Sequence, residues 1–218
     1  MLEERTHRIP GFYCSFGSKR YFFRDSLAPL TLGADGKLFG MTSGGGAYGG
    51  GTIFSMTPGG NLTTLYNFCS QAYGYDCLDG NSPEAALVQY ADGSFYGVTG
   101  IGGANICSSG YGCGTVFRIS SNGVLATLYN FCPSYPSCPD GYGPVGLTLG
   151  PDGDFYGITN AGGPNNLYCA LVESCGTIFK ITPQGRFTTL YSFCLQNECP
   201  DGALPDSGLT LGTDLNFY

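Results

Sequence analysis

Between Pro144 and Phe193 the apolar positions fall into four short runs separated by glycine-containing turns. Val145-Gly146-Leu147-Thr148-Leu149 reads as a strand, and Pro151-Asp152-Gly153 as a turn. Asp154–Thr159 reads as a second strand, followed by a loop carrying Gly162, Gly163 and two cysteines. Gly176–Thr182 alternates with period two, so Phe179 and Ile181 face one side and Lys180 the other. Pro183-Gln184-Gly185 turns the chain, and Arg186–Phe193 is the fourth strand. The copies agree: Phe54 and Met56 face one side with Ser55 opposite, and Phe117 and Ile119 face one side with Arg118 opposite.

This pattern is written three times. Gly51-Thr52-Ile53-Phe54 returns as Gly114-Thr115-Val116-Phe117 and Gly176-Thr177-Ile178-Phe179, at steps of 63 and 62 residues. Leu65-Tyr66-Asn67-Phe68 returns as Leu128–Phe131 and Leu190–Phe193 at the same steps. A fixed period of this size signals a repeat architecture. Four antiparallel strands per unit, with no helix, predict an all-β, β-propeller-like array of four-stranded blades that stack to form their core. An open solenoid or sandwich-like array is the competing architecture. The expected division is an N-terminal segment with the end of a preceding repeat over 1–27, repeats over 28–84, 85–144 and 145–205, and a truncated repeat over 206–218. Asn216-Phe217-Tyr218 falls in the middle of a strand, so the chain reads as a fragment of a longer propeller.

Glycine supplies 37 of 218 residues and charged residues only 11%, a composition shared with disordered low-complexity chains. The 31 Phe and Tyr residues recur at fixed phase, which argues for order. A net charge of −7 repels polyanions, so nucleic acid is not an expected partner. No apolar run reaches the roughly 18 residues of a membrane helix, so no membrane insertion is expected within this segment.

The eleven cysteines fall into local pairs: Cys69/Cys77, Cys132/Cys138 and Cys194/Cys199 after strand four, and Cys107/Cys113 and Cys169/Cys175 between strands two and three. The first repeat has glycine in the latter loop, so a pair is present or absent as a unit, as a local disulfide requires. Cys14 matches the phase of Cys69 and has no following partner. Zinc fits less well, because most spacings exceed those of C-x2-4-C knuckles and the single histidine, His7, lies outside the repeats. Reduced structural thiols are the third reading. Disulfides imply an oxidising location: extracellular, cell-surface or periplasmic. A propeller would bring both cysteine-bearing loops to one face, where rigid loops can either present a binding surface or resist proteolysis.

Asp25, Asp79, Asp140 and Asp201 each stand four residues before a proline, at Pro29, Pro83, Pro144 and Pro205. Placed at a channel mouth, they could hold a ligand or a hard cation such as calcium; the competing reading is an Asx-turn that starts each blade. Asp35, Asp92 and Asp152 precede glycine and read as hairpin turn residues. Gly44–Gly49 matches G-x-G-x-x-G formally, but a strand follows where a dinucleotide site needs a helix. With one histidine no Ser-His or Cys-His set forms within the repeats, so no catalytic residue is assigned.

Asp152–Thr159, Gly162-Gly163, Gly176–Thr182, Gly185 and Thr189–Phe193, with their copies, resemble the GloVer-type tandem repeat, a choice-of-anchor family. The resemblance covers about residues 28–218. It implies an exported, surface-associated repeat protein with a propeller-like fold, and it carries no catalytic residues. The expected function is non-catalytic binding or adhesion of a glycan or protein ligand through the pinned loops. The alternatives are a purely structural surface repeat and an extracytoplasmic enzyme with a calcium-assisted channel-mouth site.

Overall fold

The computed structural model describes residues 28–73, 76–107, 111–163, 175–196 and 198–218. Its β-branched and aromatic runs form three antiparallel sheets, each built from strands consecutive in the chain. The first holds β1 (Thr31–Leu32), β2 (Leu38–Thr42), β3 (Thr52–Met56) and β4 (Leu62–Asn67) in that spatial order. A two-stranded ribbon follows, β5 (Ala72–Tyr73) with β6 (Asp76–Cys77). In the second sheet, β7 (Asn81–Pro83) and β8 (Val88–Gln89) both pair with β9 (Phe95–Ile101). β10 (Thr115–Ile119) and β11 (Leu125–Asn130) complete it. The third runs β12 (Tyr142–Leu149), β13 (Phe155–Ala161), β14 (Thr177–Ile181) and β15 (Phe187–Ser192). A bridge between Leu211 and Phe217 repeats the β12–β13 pairing one unit later. Among the described residues no helix is long and apolar enough to cross a membrane.

The innermost strand is continuous in the third sheet and broken in the second. Pro144 stands three residues before Leu147, and the slack appears as a bulge between Pro144 and Gly146. Pro83 stands four residues before the matching Leu87, and the extra residue splits the strand into β7 and β8. Pro29 stands only one residue before Leu30, so its D-x3-P match is out of register with the others. A second irregularity recurs in every unit, a bulge at Ile53/Phe54, Val116/Phe117 and Ile178/Phe179, which simple alternation does not reveal.

The blades stack face to face. Phe39, Ile53 and Phe68 of the first sheet pack against Leu87, Phe95, Phe117 and Ile119 of the second. Tyr96, Val98, Val116 and Phe131 of the second pack against Leu147, Phe155, Phe179 and Ile181 of the third. An aromatic ladder runs through both interfaces and continues from the third sheet to the C-terminal residues. Ring centroids lie 4.1 Å apart for Phe39–Phe95, 4.2 Å for Tyr96–Phe155 and 4.3 Å for Tyr156–Phe217. Each pair joins the second aromatic position of one F-Y step to the first of the next, so period in sequence becomes contact in space. The arrangement is a propeller-like array of four-stranded antiparallel blades.

Burial of Phe117, Ile119, Phe179 and Ile181 with Arg118 exposed follows the alternation. In the first unit the two sides alternate likewise, but Ser55 is the buried one, while Phe54 and Met56 are half-buried. The phase is unchanged. In the second and third sheets the Phe-x-Ile side faces the preceding blade, and the residues before Ala28 lie outside those described. Ser55 faces the second blade.

Candidate functional site

The cysteine-bearing loops meet on one face. Cys69–Cys77, Cys132–Cys138 and Cys194–Cys199 close the loops after β4, β11 and β15, and Cys107–Cys113 closes the loop between β9 and β10. The sulfurs of Cys107, Cys132 and Cys138 all lie within 4.8 Å of one another, so two loops from opposite sides of a strand pair touch. Cys14 and Cys169 lie outside the described residues, so the pairing of Cys169 with Cys175 stays a proposal.

Backbone hydrogen bonds sew these loops into a continuous band. The carbonyl of Cys77 accepts from Gly103 N–H, and that of Cys113 from Gly143 N–H. The carbonyl of Cys138 accepts from Gly163 N–H, and that of Cys175 from Leu204 N–H. Every bond links a cysteine of one loop to the next loop along the face. Asn130 adds a side-chain clasp, its Oδ1 accepting from Ala104 N–H at 2.8 Å, and Asn67 does the same for Ala47 at 2.8 Å.

The D-x3-P aspartates act inside this band. Asp79 Oδ2 accepts from the hydroxyl of Tyr66 at 2.8 Å and from the N–H and hydroxyl of Ser70 at 3.0 and 2.8 Å. Asp140 Oδ2 accepts from Tyr129 at 2.8 Å and Cys132 N–H at 3.0 Å, and Asp201 accepts from Tyr191 at 2.6 Å and Cys194 N–H at 3.1 Å. Each carboxylate therefore ties the last strand of one blade to the turn that begins the next. Burial pushes the Tyr66 hydroxyl up to about 12 and raises that of Tyr129, with the neighbouring carboxylate acting in the same direction. Burial also raises Asp140, against the lowering hydrogen bond from Tyr129. The exposed Asp201 is held below its usual value, chiefly by the hydrogen bond from Tyr191. Asp25 lies outside the described residues. Among the described residues, Asp79, Asp140 and Asp201 form no cluster of three carboxylates, and the one group of three close enough, the sulfurs of Cys107, Cys132 and Cys138, is held in disulfides.

The hairpin aspartates sit in the tight turns; Asp35 pairs with Lys37 of its own hairpin, while Asp92 and Asp152 pair with the third strand of their sheets. Asp92 meets Arg118 at 2.8 Å, and Lys180 meets Asp152 and Asp154 at 2.7 Å each. The Lys180 hydrogen bond lowers Asp152 to about 2. Gly44–Gly49 runs directly into β3, with no helix to receive a pyrophosphate.

Large apolar side chains stand exposed beside the staples: Leu78, Ile106, Tyr135, Leu195 and Leu204, at 39 to 55%. The exposure of Tyr135 was legible in the sequence as that of a loop tyrosine; that of Leu78, Ile106, Leu195 and Leu204 was not. A separate open cavity of about 420 Å³ lies among the innermost strands, lined by Pro29, Glu84, Ala86, Leu147, Thr148 and Leu209 among others.

A family model, the Gloeobacter/Verrucomicrobia repeat, matches residues 15–218. No curated protein matches the chain. Among solved structures, one described provisionally as a gluconolactonase is similar at 16% identity with a TM-score of 0.44. That match covers 75% of this chain and 48% of the other, so the chain spans about half the length of that protein.

Proposed function

The chain belongs to the Gloeobacter/Verrucomicrobia repeat family, and from that premise we propose that it is a non-catalytic binding module of the cell exterior or periplasm. It binds a glycan or protein through the disulfide-pinned loop face. The observation that supports this reading is the set of apolar side chains held exposed on rigid loops. Leu78, Ile106, Tyr135 and Leu195 flank or lie within disulfide loops whose backbones are already fixed by the Cys-to-Gly hydrogen bonds. A surface ordered in advance loses little entropy on binding, and tyrosine offers both apolar area and a hydroxyl. Disulfides persist in oxidising compartments, which supports an exterior location.

The test is a glycan-array and surface-protein binding screen of the full chain, followed by variants. Tyr135→Ala and Ile106→Ser are expected to weaken the recovered interaction by about tenfold with unchanged melting temperature. Val124→Ser, on the plain hairpin side, is expected to leave it intact. Loss with Val124→Ser but not with Tyr135→Ala would place binding elsewhere. No ligand in either screen would favour a purely structural repeat, the role to which the Asp–Tyr clasps also contribute.

A further inference from the structure

The loop between β2 and β3 has no cysteine pair and is short: Ala47 stands four residues before Gly51, where Ala104 of the next blade stands ten before Gly114. Its own hydrogen bonds fix it. Ala47 N–H donates to Asn67 Oδ1 at 2.8 Å, Gly51 N–H to Gly45 O at 3.1 Å and Ser82 N–H to Gly50 O at 3.0 Å. A Cβ on Gly50 would lie 2.9 Å from Cβ of Cys69, so the loop rests against the residue before Ser70. Between these anchors Tyr48 stands 60% exposed. Burial first, then Asp79 and Tyr48, raise the Tyr66 hydroxyl, which puts Tyr48 within electrostatic reach of Tyr66.

Three oxygens form a triangle beside this loop. Tyr66 Oη and Ser70 Oγ each lie 2.8 Å from Asp79 Oδ2, and 2.9 Å from each other. A hydroxyl carries one hydrogen and two acceptor positions. Both hydrogens go to the carboxylate, which is buried and also takes the N–H groups of Ser70 and Gln71. Tyr66 and Ser70 have no hydrogen left to give, so toward any ligand they act as acceptors. The carboxylate polarises both oxygens. Ser70 is exposed and Tyr66 half-buried, so the acceptors are open to solvent. The later blades lack this triangle, because Pro133 and Leu195 stand where the first has Ser70.

We propose that Tyr48, Ser70 and Tyr66 form a subsite for a neutral saccharide; the proposal rests on the reading of the chain as an exterior binding module and narrows its ligand to a glycan. A pyranose has an apolar C–H face, which the Tyr48 ring can cover, and hydroxyl donors at its rim, which match the two polarised acceptors. Neither the ring nor the hydroxyls supply a positive charge, and the nearest formal charge is the Asp79 carboxylate. A uronic acid is therefore disfavoured against a neutral sugar, in the same sense as the net charge of −7. A protein ligand would need a wider apolar anchor than one ring.

The test titrates the full chain with neutral gluco-, manno- and galacto-oligosaccharides and with a galacturonate oligosaccharide, read by saturation-transfer NMR. A neutral sugar should bind with saturation strongest on its ring C–H protons, and the uronate about tenfold more weakly. Tyr48→Ala and Ser70→Ala should each weaken binding by about tenfold, and Tyr48→Phe, which keeps the ring, should retain it. Ser70→Ala also removes a bond to a buried carboxylate, so Tyr48→Ala, with melting temperature unchanged, is the arm that decides. Val124→Ser should leave binding intact. Loss with Tyr135→Ala but not with Tyr48→Ala overturns the subsite and leaves the binding-module reading standing, as does recovery of a protein ligand alone. Binding of none of these sugars, or preference for the uronate, also overturns the subsite.

Discussion

A Cβ placed on Gly114 would lie 2.5 Å from Cδ of Pro144 in the next blade and 2.6 Å from the carbonyl oxygen of Thr99. The glycine of the G-T-[IV]-F motif and the proline of the D-x3-P motif, read as separate signals along the chain, are thus one contact. It recurs as Gly51 against Pro83 and Gly176 against Pro205, at 2.9 and 2.6 Å. Gly114 also has φ +95°, outside the range a side chain adopts readily. Gly114→Ala is expected to cost about 2–4 kcal/mol, the sum of backbone strain and overpacking. Adding Pro144→Ala should recover part of that loss. Urea denaturation of the single and double variants measures both; strict additivity would show that the contact carries no coupling.

Asp140 keeps a buried Oδ1 with no hydrogen-bond partner, while Asp79 has Ser70 and Gln71 as donors on its two oxygens. The donor that fills Oδ1 of Asp79 is Gln71 N–H, whereas Ser70 donates to Oδ2. Pro133, which follows Cys132 as Ser70 follows Cys69, has no N–H to give, and Asp140 Oδ2 is served by Tyr129 and Cys132 instead. Asp140→Asn keeps the shape of the side chain and cannot ionise, so comparison with wild type isolates the titration. The sign with pH follows from the raised folded value of Asp140. Above the ordinary carboxylate value of about 4, the folded wild type retains a proton that the unfolded chain releases. Its contribution to stability therefore falls as pH rises through the raised value. Urea midpoints of both proteins from pH 4 upward should diverge as pH increases; a constant difference would refute the assignment.

Tyr129 and Tyr191 make the same bond in different surroundings. Tyr129 donates to a buried carboxylate, Tyr191 to an exposed one. Tyr129→Phe leaves Asp140 with Cys132 N–H and is expected to cost about 1–3 kcal/mol. Tyr191→Phe should cost less, since water replaces the lost donor. For Asp201, held below its usual value, stability is lost as pH falls through that value, opposite in sign to Asp140. Equal losses from the two substitutions would contradict this ordering.

Thiol counting under denaturing, non-reducing conditions should find about one free thiol, from Cys14, if all five local pairs form. Ten or eleven would overturn the oxidised reading and the exterior location with it. Cys69→Ser with Cys77→Ser should lower stability by about 2–2.5 kcal/mol, the loop-closure entropy of a short crosslink. A melting temperature unchanged from wild type would show that the loop is held by Asp79 and the backbone bonds alone.

The strands, turns and repeat phase were legible in the sequence, because period-two alternation and turn chemistry are local. Asp35, Asp92 and Asp152 fall in the hairpins that their Asp-Gly steps announce. The role of Asp79 and Asp140 was not legible. Their tyrosine partners stand 13 and 11 residues earlier, and no local rule distinguishes a turn aspartate from one that reaches back to the preceding strand. The buried Ser55 was likewise hidden, since burial depends on which neighbouring blade a face meets.

By itself the sequence determined the unit, its period and which cysteines could pair, since these follow from short-range spacing and backbone preference. The tertiary structure alone decided that Tyr96 stacks on Phe155, that Gly114 meets Pro144 and that Cys107 lies against Cys132 and Cys138. Those contacts join adjacent blades or separate loops. Their geometry is set by how one twisted sheet stacks on the next, a distance that no spacing along a single strand encodes.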